Sequence, residues 1–191
     1  MSNLVENELV LTGTPASLAS ARSTLGDPEA DEADQRLLNF ALLVPMPAGM
    51  IDRPPTEDCG SGKHSEPMDW YCWRLEHWGT AREASYVSLE GSPESGLLRY
   101  EFSTTNTPVI PLLPVIASRW STLSIDFAYV APAYEYAGSQ HYTPEGGWSE
   151  AIFADDLPGL RSALGTSRLA LCVPDHADGV STSEGLDPLE A

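Results

Sequence analysis

The sequence predicts an α+β sandwich: an antiparallel sheet with helices on one face, followed by a C-terminal extension. Three observations predict it. The alternating stretch "NELVLTG" runs directly into a helix-start signal. "EASYVSLEG" and "GLLRYEFST" read as two strands joined through a turn at Ser92-Pro93. A proline-led apolar segment, "PLLPVIASRW", is followed by the alternating "LSIDFAYVAP".

Taken in order, Leu9 and Leu11 alternate with polar neighbours and predict a half-buried first strand. Thr14 then offers an N-cap and Pro15 suits the first helical position. Leu18, Ala21, Arg22 and Leu25 recur at helical spacing, and Gly26 is expected to close that helix. Leu38, Phe40 and Leu42 in "RLLNFALLVPMP" alternate, which predicts a strand ending at Pro45. Residues 47–68 are rich in Pro, Gly, Asp and Ser and read as a long surface loop. In "MDWYCWRLEHW", Trp70, Trp73 and His77 lie three and four apart and predict a short helix with an aromatic face. The hairpin follows, and then a helix starting near Pro111, where a proline forfeits no intrahelical bond.

The next strand, "LSIDFAYVAP", is expected to pair with "AYEYAGSQHY", and "LPGLRSAL" and "RLALCV" to add a short helix and a strand. Leu9, Leu11, Leu18, Phe40, Leu42, Leu98, Ile116 and Phe127 are the expected core. Strand–helix–strand followed by hairpin, helix and strand is the split βαβ plan of a ferredoxin-like sandwich. The organisation is residues 1–147 as that domain, 148–174 as a helix and strand extension, and 175–191 as an acidic disordered tail.

Charge is the strongest compositional signal. Twenty-eight acids face ten bases, a formal charge of −18. Residues 27–34, "DPEADEAD", hold five acids and no base, and 175–191 another five and no base. Such a chain is repelled by phosphate backbones, so direct nucleic-acid binding is disfavoured, and the acids either keep the chain soluble or face a basic partner. No apolar run approaches the ~20 residues of a membrane span. The N-terminus shows no basic region leading into an apolar one, so the expected location is the cytoplasm. Cys59, Cys72 and Cys172 form an odd set, for which reduced thiols are expected.

Residues able to do chemistry are present but do not converge. Cys59, His64, Cys72 and His77 fall within nineteen residues, yet Cys72 and His77 lie about 140° apart around a helix and no C-x2-C pair occurs. "GSGKHS" lacks the first glycine of a phosphate loop. Three scattered cysteines cannot supply the four thiolates of an iron–sulfur cluster. Cys72 with His77, or Ser139 with His141, lacks any nucleophile signature. The aromatic strands carry Asp126 and Glu135 where an RNA-binding sheet needs bases. No catalytic residue, metal site or cofactor is therefore expected.

"MSNLVENELVLTG", "LNFALLVPMP", "HWGT", "YEFSTTNTPVIPLLPVIASRW" and "LSIDFAY", in this order, resemble the YubB ferredoxin-like family over roughly residues 1–147. That family is found on plasmids and phages and has no settled biochemical function. The chain departs from its pattern at Val5, where a cysteine is usual, and at Ala81-Arg82, where Lys-Trp is usual. It departs again at Ser103–Asn106, where Asp-Thr-Ala-Trp is usual.

The resemblance implies a non-enzymatic accessory protein of a mobile genetic element that binds a host protein with a basic surface. Its target would be a nucleic-acid-binding defence complex, which makes it an anti-CRISPR or anti-restriction inhibitor. The expected protein-binding residues are Asp27, Glu29, Asp31, Glu32 and Asp34 of the acidic loop, with Trp73 and Trp78 of the aromatic segment. The rival expectation is a small-molecule-binding protein or enzyme with its site near residues 70–80.

Overall fold

A computed structural model describes residues 4–27, 35–50, 69–131, 136–149, 152–155, 157–165 and 167–172. The strands are β1 (Leu4–Thr12), β2 (Ser85–Ser92), β3 (Leu97–Thr105), β4 (Ser124–Ala131), β5 (Tyr136–Thr143), β6 (Gly147–Trp148) and β7 (Ile152–Ala154). They form one sheet in the order β2-β3-β1-β4-β5-β6, with β7 also on β5, and every pairing is antiparallel. The helices are α1 (Pro15–Leu25), α2 (Phe40–Leu43), α3 (Trp70–Trp78), α4 (Leu112–Arg119) and α5 (Leu157–Leu164).

The main core fills one face of the sheet. Leu9 and Leu11 of β1, Leu98, Tyr100 and Phe102 of β3, and Ile125 and Phe127 of β4 pack under Leu18, Ala21 and Leu25 of α1 and Leu112, Leu113 and Ile116 of α4. The period-2 alternation of the strands turns their other residues to the second face. There a smaller cluster of Ala128, Val130, Ala137, Leu164 and Leu169 is roofed by α5 and the 3-10 turn Arg168–Cys172. Helices therefore cover both faces, the C-terminal extension supplying the second layer.

The first helix forms as its sequence dictates. The Thr14 side chain accepts from Ser17 N at 3.3 Å, with Pro15 at the first position. Gly26 ends it in an extended conformation, φ −160°, rather than a left-handed one. Its lack of a side chain serves close approach, because a Cβ there would run into the Leu37 carbonyl.

Two expected strands are not strands. Residues 35–43 form a 3-10 turn, Gln35–Leu37, and then α2. Asn39 caps α2 by accepting from Leu42 N at 3.2 Å, and the distant Glu83 carboxylate binds the amides of Phe40 at 2.7 Å and Ala41 at 3.2 Å. Leu42 consequently points outward, 52% exposed, instead of joining the core. Residues 168–172 likewise make a 3-10 turn, lying over the sheet rather than extending its edge. The strand that follows β1 in the chain is β2, after α3, so α1, α2 and α3 all lie between the first two strands.

β2 is an edge strand with a bulge between Ser85 and Ser88. Tyr86 is the residue turned out of register, at φ 52° and 74% exposed. Among the described residues no helix is long and apolar enough to cross a membrane. Residues 175–191, the expected disordered tail, lie outside the described residues.

Candidate functional site

The expected protein-binding residues fall in two places. Asp27 follows α1, and Glu29, Asp31, Glu32 and Asp34 lie outside the described residues. The two stems of the loop are joined: Asp27 N donates to Arg36 O at 2.8 Å, Arg36 pairs with the Asp27 carboxylate at 2.7 Å, and Asn39 N donates to Leu25 O at 2.7 Å.

Trp73 and Trp78 are interior residues, 7% and 1% exposed. Trp78 donates its indole N–H to Val44 O at 2.9 Å, meets Phe40 and Trp73 edge-on, and lies under the Arg74 guanidinium at 4.7 Å. Gly79 adopts φ 81° and caps α3 by donating to Leu75 O at 3.1 Å. Thr80 donates its hydroxyl to Thr105 O at 3.1 Å, and the Thr107 hydroxyl donates to Gly79 O. Trp-Gly-Thr is thus a knot that ties α3, residue 44 and the end of β3 together.

His77 is held nearby. Its ring stacks on Trp73 at 4.3 Å, with Nδ1 2.9 Å from Trp73 O. Cys72 is disulfide-bonded, which corrects the expectation of a reduced thiol at that position.

The second face of the sheet carries a groove of about 410 Å³, within the range of small-ligand sites. Strand parity builds its floor from Glu8, Val10 and Thr12 of β1, Arg99 of β3, Asp126 and Ala128 of β4, and Ser139 and His141 of β5. The end of α5 and Ile152 of β7 wall it. Two ion pairs organise the floor. Arg99 donates to the Glu8 carboxylate at 2.6 Å, with side chains 20% and 5% exposed. Asp126 and His141, opposite one another in the β4/β5 ladder, meet at 2.5 Å through His141 Nδ1.

A third set of charges fastens the roof. Arg168 reaches Glu90 at 2.7 Å and Glu101 at 3.3 Å, and its backbone N–H donates to Glu8 at 3.3 Å. The hydrogen bond from Arg168 holds the Glu90 carboxyl below the usual range, and the same contact raises Arg168.

The Ser139 hydroxyl donates to Ala163 O at 2.5 Å. It therefore fastens α5 to the sheet, and the imidazole partner of His141 is a carboxylate rather than this serine. Sequence reasoning considered Ser139 with His141 and set the pair aside, and it did not connect His141 with Asp126. The available signal was hairpin register, since a β4/β5 hairpin pairing Ala131 with Tyr136 sets 126 opposite 141.

Fold and groove together define an α+β protein built on a single seven-stranded antiparallel sheet, with a polar groove on its second face. Among solved structures it is similar to the crystal structure of a protein api92 from Yersinia pseudotuberculosis, described under the family designation DUF1281. The TM-score is 0.51 at 10% identity, covering 78% of this chain and 98% of that one. That likeness is one of fold. No family model and no curated protein matches the chain.

Proposed function

We propose that the chain is a non-enzymatic, acidic accessory protein of a mobile genetic element that works by binding a host protein with a basic surface. The ferredoxin-like label belongs to the same proposal. The order β2-β3-β1-β4, with a helical crossover from β1 to β2 and another from β3 to β4, supports it. So does the family resemblance of the sequence. The preferred target is a nucleic-acid-binding defence complex, a CRISPR effector or restriction enzyme, whose basic channel would accept carboxylates in place of phosphates. Cytoplasmic location belongs to this reading as well.

The observation that carries the proposal is the joined stem of the acidic loop. With Asp27 and Arg36 bonded to each other, the residues that flank Glu29, Asp31, Glu32 and Asp34 in sequence meet at one spot on the domain. Anchored charges cost less ordering entropy on association than charges in a free tail. Two further arginines are engaged internally, Arg99 on Glu8 and Arg168 on Glu90 and Glu101.

The test begins with affinity purification from the host, with and without nuclease. The association rate of the captured partner is then compared with that of a variant carrying Asp27→Asn, Glu29→Gln, Asp31→Asn, Glu32→Gln and Asp34→Asn. The variant should associate more slowly, with a flatter salt dependence, because exposed charges act over a Debye length of ~8 Å at physiological salt. Asp27–Arg36 is an exposed pair worth at most about 1 kcal/mol, so folding should survive. Unchanged rates at every salt concentration would place the interface elsewhere.

A further inference from the structure

The groove on the second face has chemistry that binding through the acidic loop does not use. We propose that it is a binding site for a small organic cation, an amine or guanidinium group carried on a short apolar body.

The argument rests on what the groove accepts and what it has left to donate. His141 and Asp126 meet at 2.5 Å through Nδ1, and since a carboxylate only accepts, Nδ1–H is the donor; in the ring that carries one proton, Nε2 is then an acceptor. The carboxylate keeps its second oxygen, and both side chains are about half exposed, at 58% and 47%, so a ligand can reach them. Facing them is the C-terminal end of α5. Its carbonyls already act as acceptors toward the groove side, Ala163 O taking the Ser139 hydroxyl and Leu164 O taking Ser167 N at 2.9 Å. That end of a helix carries the negative pole of its dipole.

Two of the groove's donors are committed elsewhere. Arg99 is bound to Glu8 at 2.6 Å, and the Ser139 proton is directed at Ala163. Glu8 and Arg99 cancel, which leaves Asp126 as the carboxylate of the floor without an arginine partner. An anion would meet acceptors of its own sign. A cation bearing N–H groups would satisfy Asp126 and His141 together, and Val10 and Ile152 offer an apolar wall for its body.

The test uses the full chain, isotopically labelled, in about 0.15 M salt, where weak attraction to exposed acids is screened. Agmatine is the cationic probe, butylurea its neutral counterpart of similar shape, and a blocked arginine tripeptide presents the same guanidinium from a polypeptide. Agmatine should give saturable amide shifts confined to the region of Val10, Ala128, Ser139 and His141, and butylurea none. Asp126→Asn should weaken agmatine binding by about tenfold or more, as for loss of a charged hydrogen bond, and His141→Phe should weaken it also. Binding of the tripeptide alongside or instead of agmatine would identify a basic side chain of a partner as the natural source. The loop variant with five neutralised acids should bind agmatine as the wild type does, so failure of the partner hypothesis leaves this result standing. Unsaturable shifts scattered over the surface, an equal response to butylurea, or affinity unchanged by Asp126→Asn would overturn the proposal.

Discussion

Replacing Arg99 by Met tests how the second face of the sheet is held together. The Glu8 side chain is 5% exposed and that of Arg99 20%, and they meet at 2.6 Å. The other donor to the same Glu8 oxygen is the backbone N–H of Arg168, at 3.3 Å. Without the guanidinium, a buried carboxylate is left on one long hydrogen bond. Breaking a pair in that situation costs about 3–5 kcal/mol, and the residual exposure of Arg99 sets the expectation near the lower end, about 3 kcal/mol. In a chain of this size that lowers the melting temperature by about 6–12 °C. Urea unfolding followed by tryptophan fluorescence measures it directly. Adding Glu8→Leu removes the stranded charge, so the double variant should regain most of the loss. If Arg99→Met costs less than about 1 kcal/mol, or the two single losses simply add, the pair is screened like a surface pair and the reasoning is refuted.

Gly79→Ala should destabilise by at least about 2 kcal/mol, because φ is 81° and a Cβ would run into the Pro108 carbonyl and approach Pro111 Cδ to 2.8 Å. A urea midpoint equal to that of the wild type would show that the Trp-Gly-Thr knot is not needed. Glu83 gives a pH signature. Burial raises its pKa, against the opposing pull of the Phe40 and Ala41 amides and of Arg74. A carboxyl raised in the folded chain contributes stability that is present below its unfolded pKa and is lost as pH rises through the folded one. Glu83→Gln should therefore gain on the wild type as pH rises from about 4 to 7. Urea midpoints across that range check it, and a constant difference between the two proteins would contradict the assigned cause.

The legible parts of the fold were those whose signals are local. Thr14, Pro15 and the spacing of Leu18, Ala21 and Leu25 specify α1 without help from the rest of the chain, and the Ser92-Pro93 turn specifies the β2/β3 hairpin. Residues 36–44 were misread because a short apolar run satisfies both periods. What decides for helix is Glu83, whose carboxylate binds the first amides of α2 from 43 residues away. Residues 168–172 were misread because their environment is set by Glu90, Glu101 and Glu8, none of them near in sequence. The groove was invisible for the same reason. Asp126 and His141 are fifteen residues apart and become partners only through the hairpin register. The aromatic segment was legible as a helix, although Trp73 and Trp78, expected at a protein-binding surface, are interior. The carboxylates of the acidic loop could be found by composition alone, since charge needs no partner to be noticed.

The bulge in β2 bears on how the protein behaves in a crowded solution. The outer strand of a sheet offers a row of backbone donors and acceptors to any extended chain that drifts alongside, and long regular edges recruit copies of themselves into ribbons. At β2 that row is interrupted where Tyr86 turns into a left-handed conformation, so regular spacing survives only from Ser88 to Ser92. At the far side, β6 and β7 are two and three residues long. A seven-stranded sheet, six strands across, thus ends in two edges too broken or too short to seed a further strand. Its growth by strand addition stops within a single chain, while the groove beside α5 on the second face stays accessible.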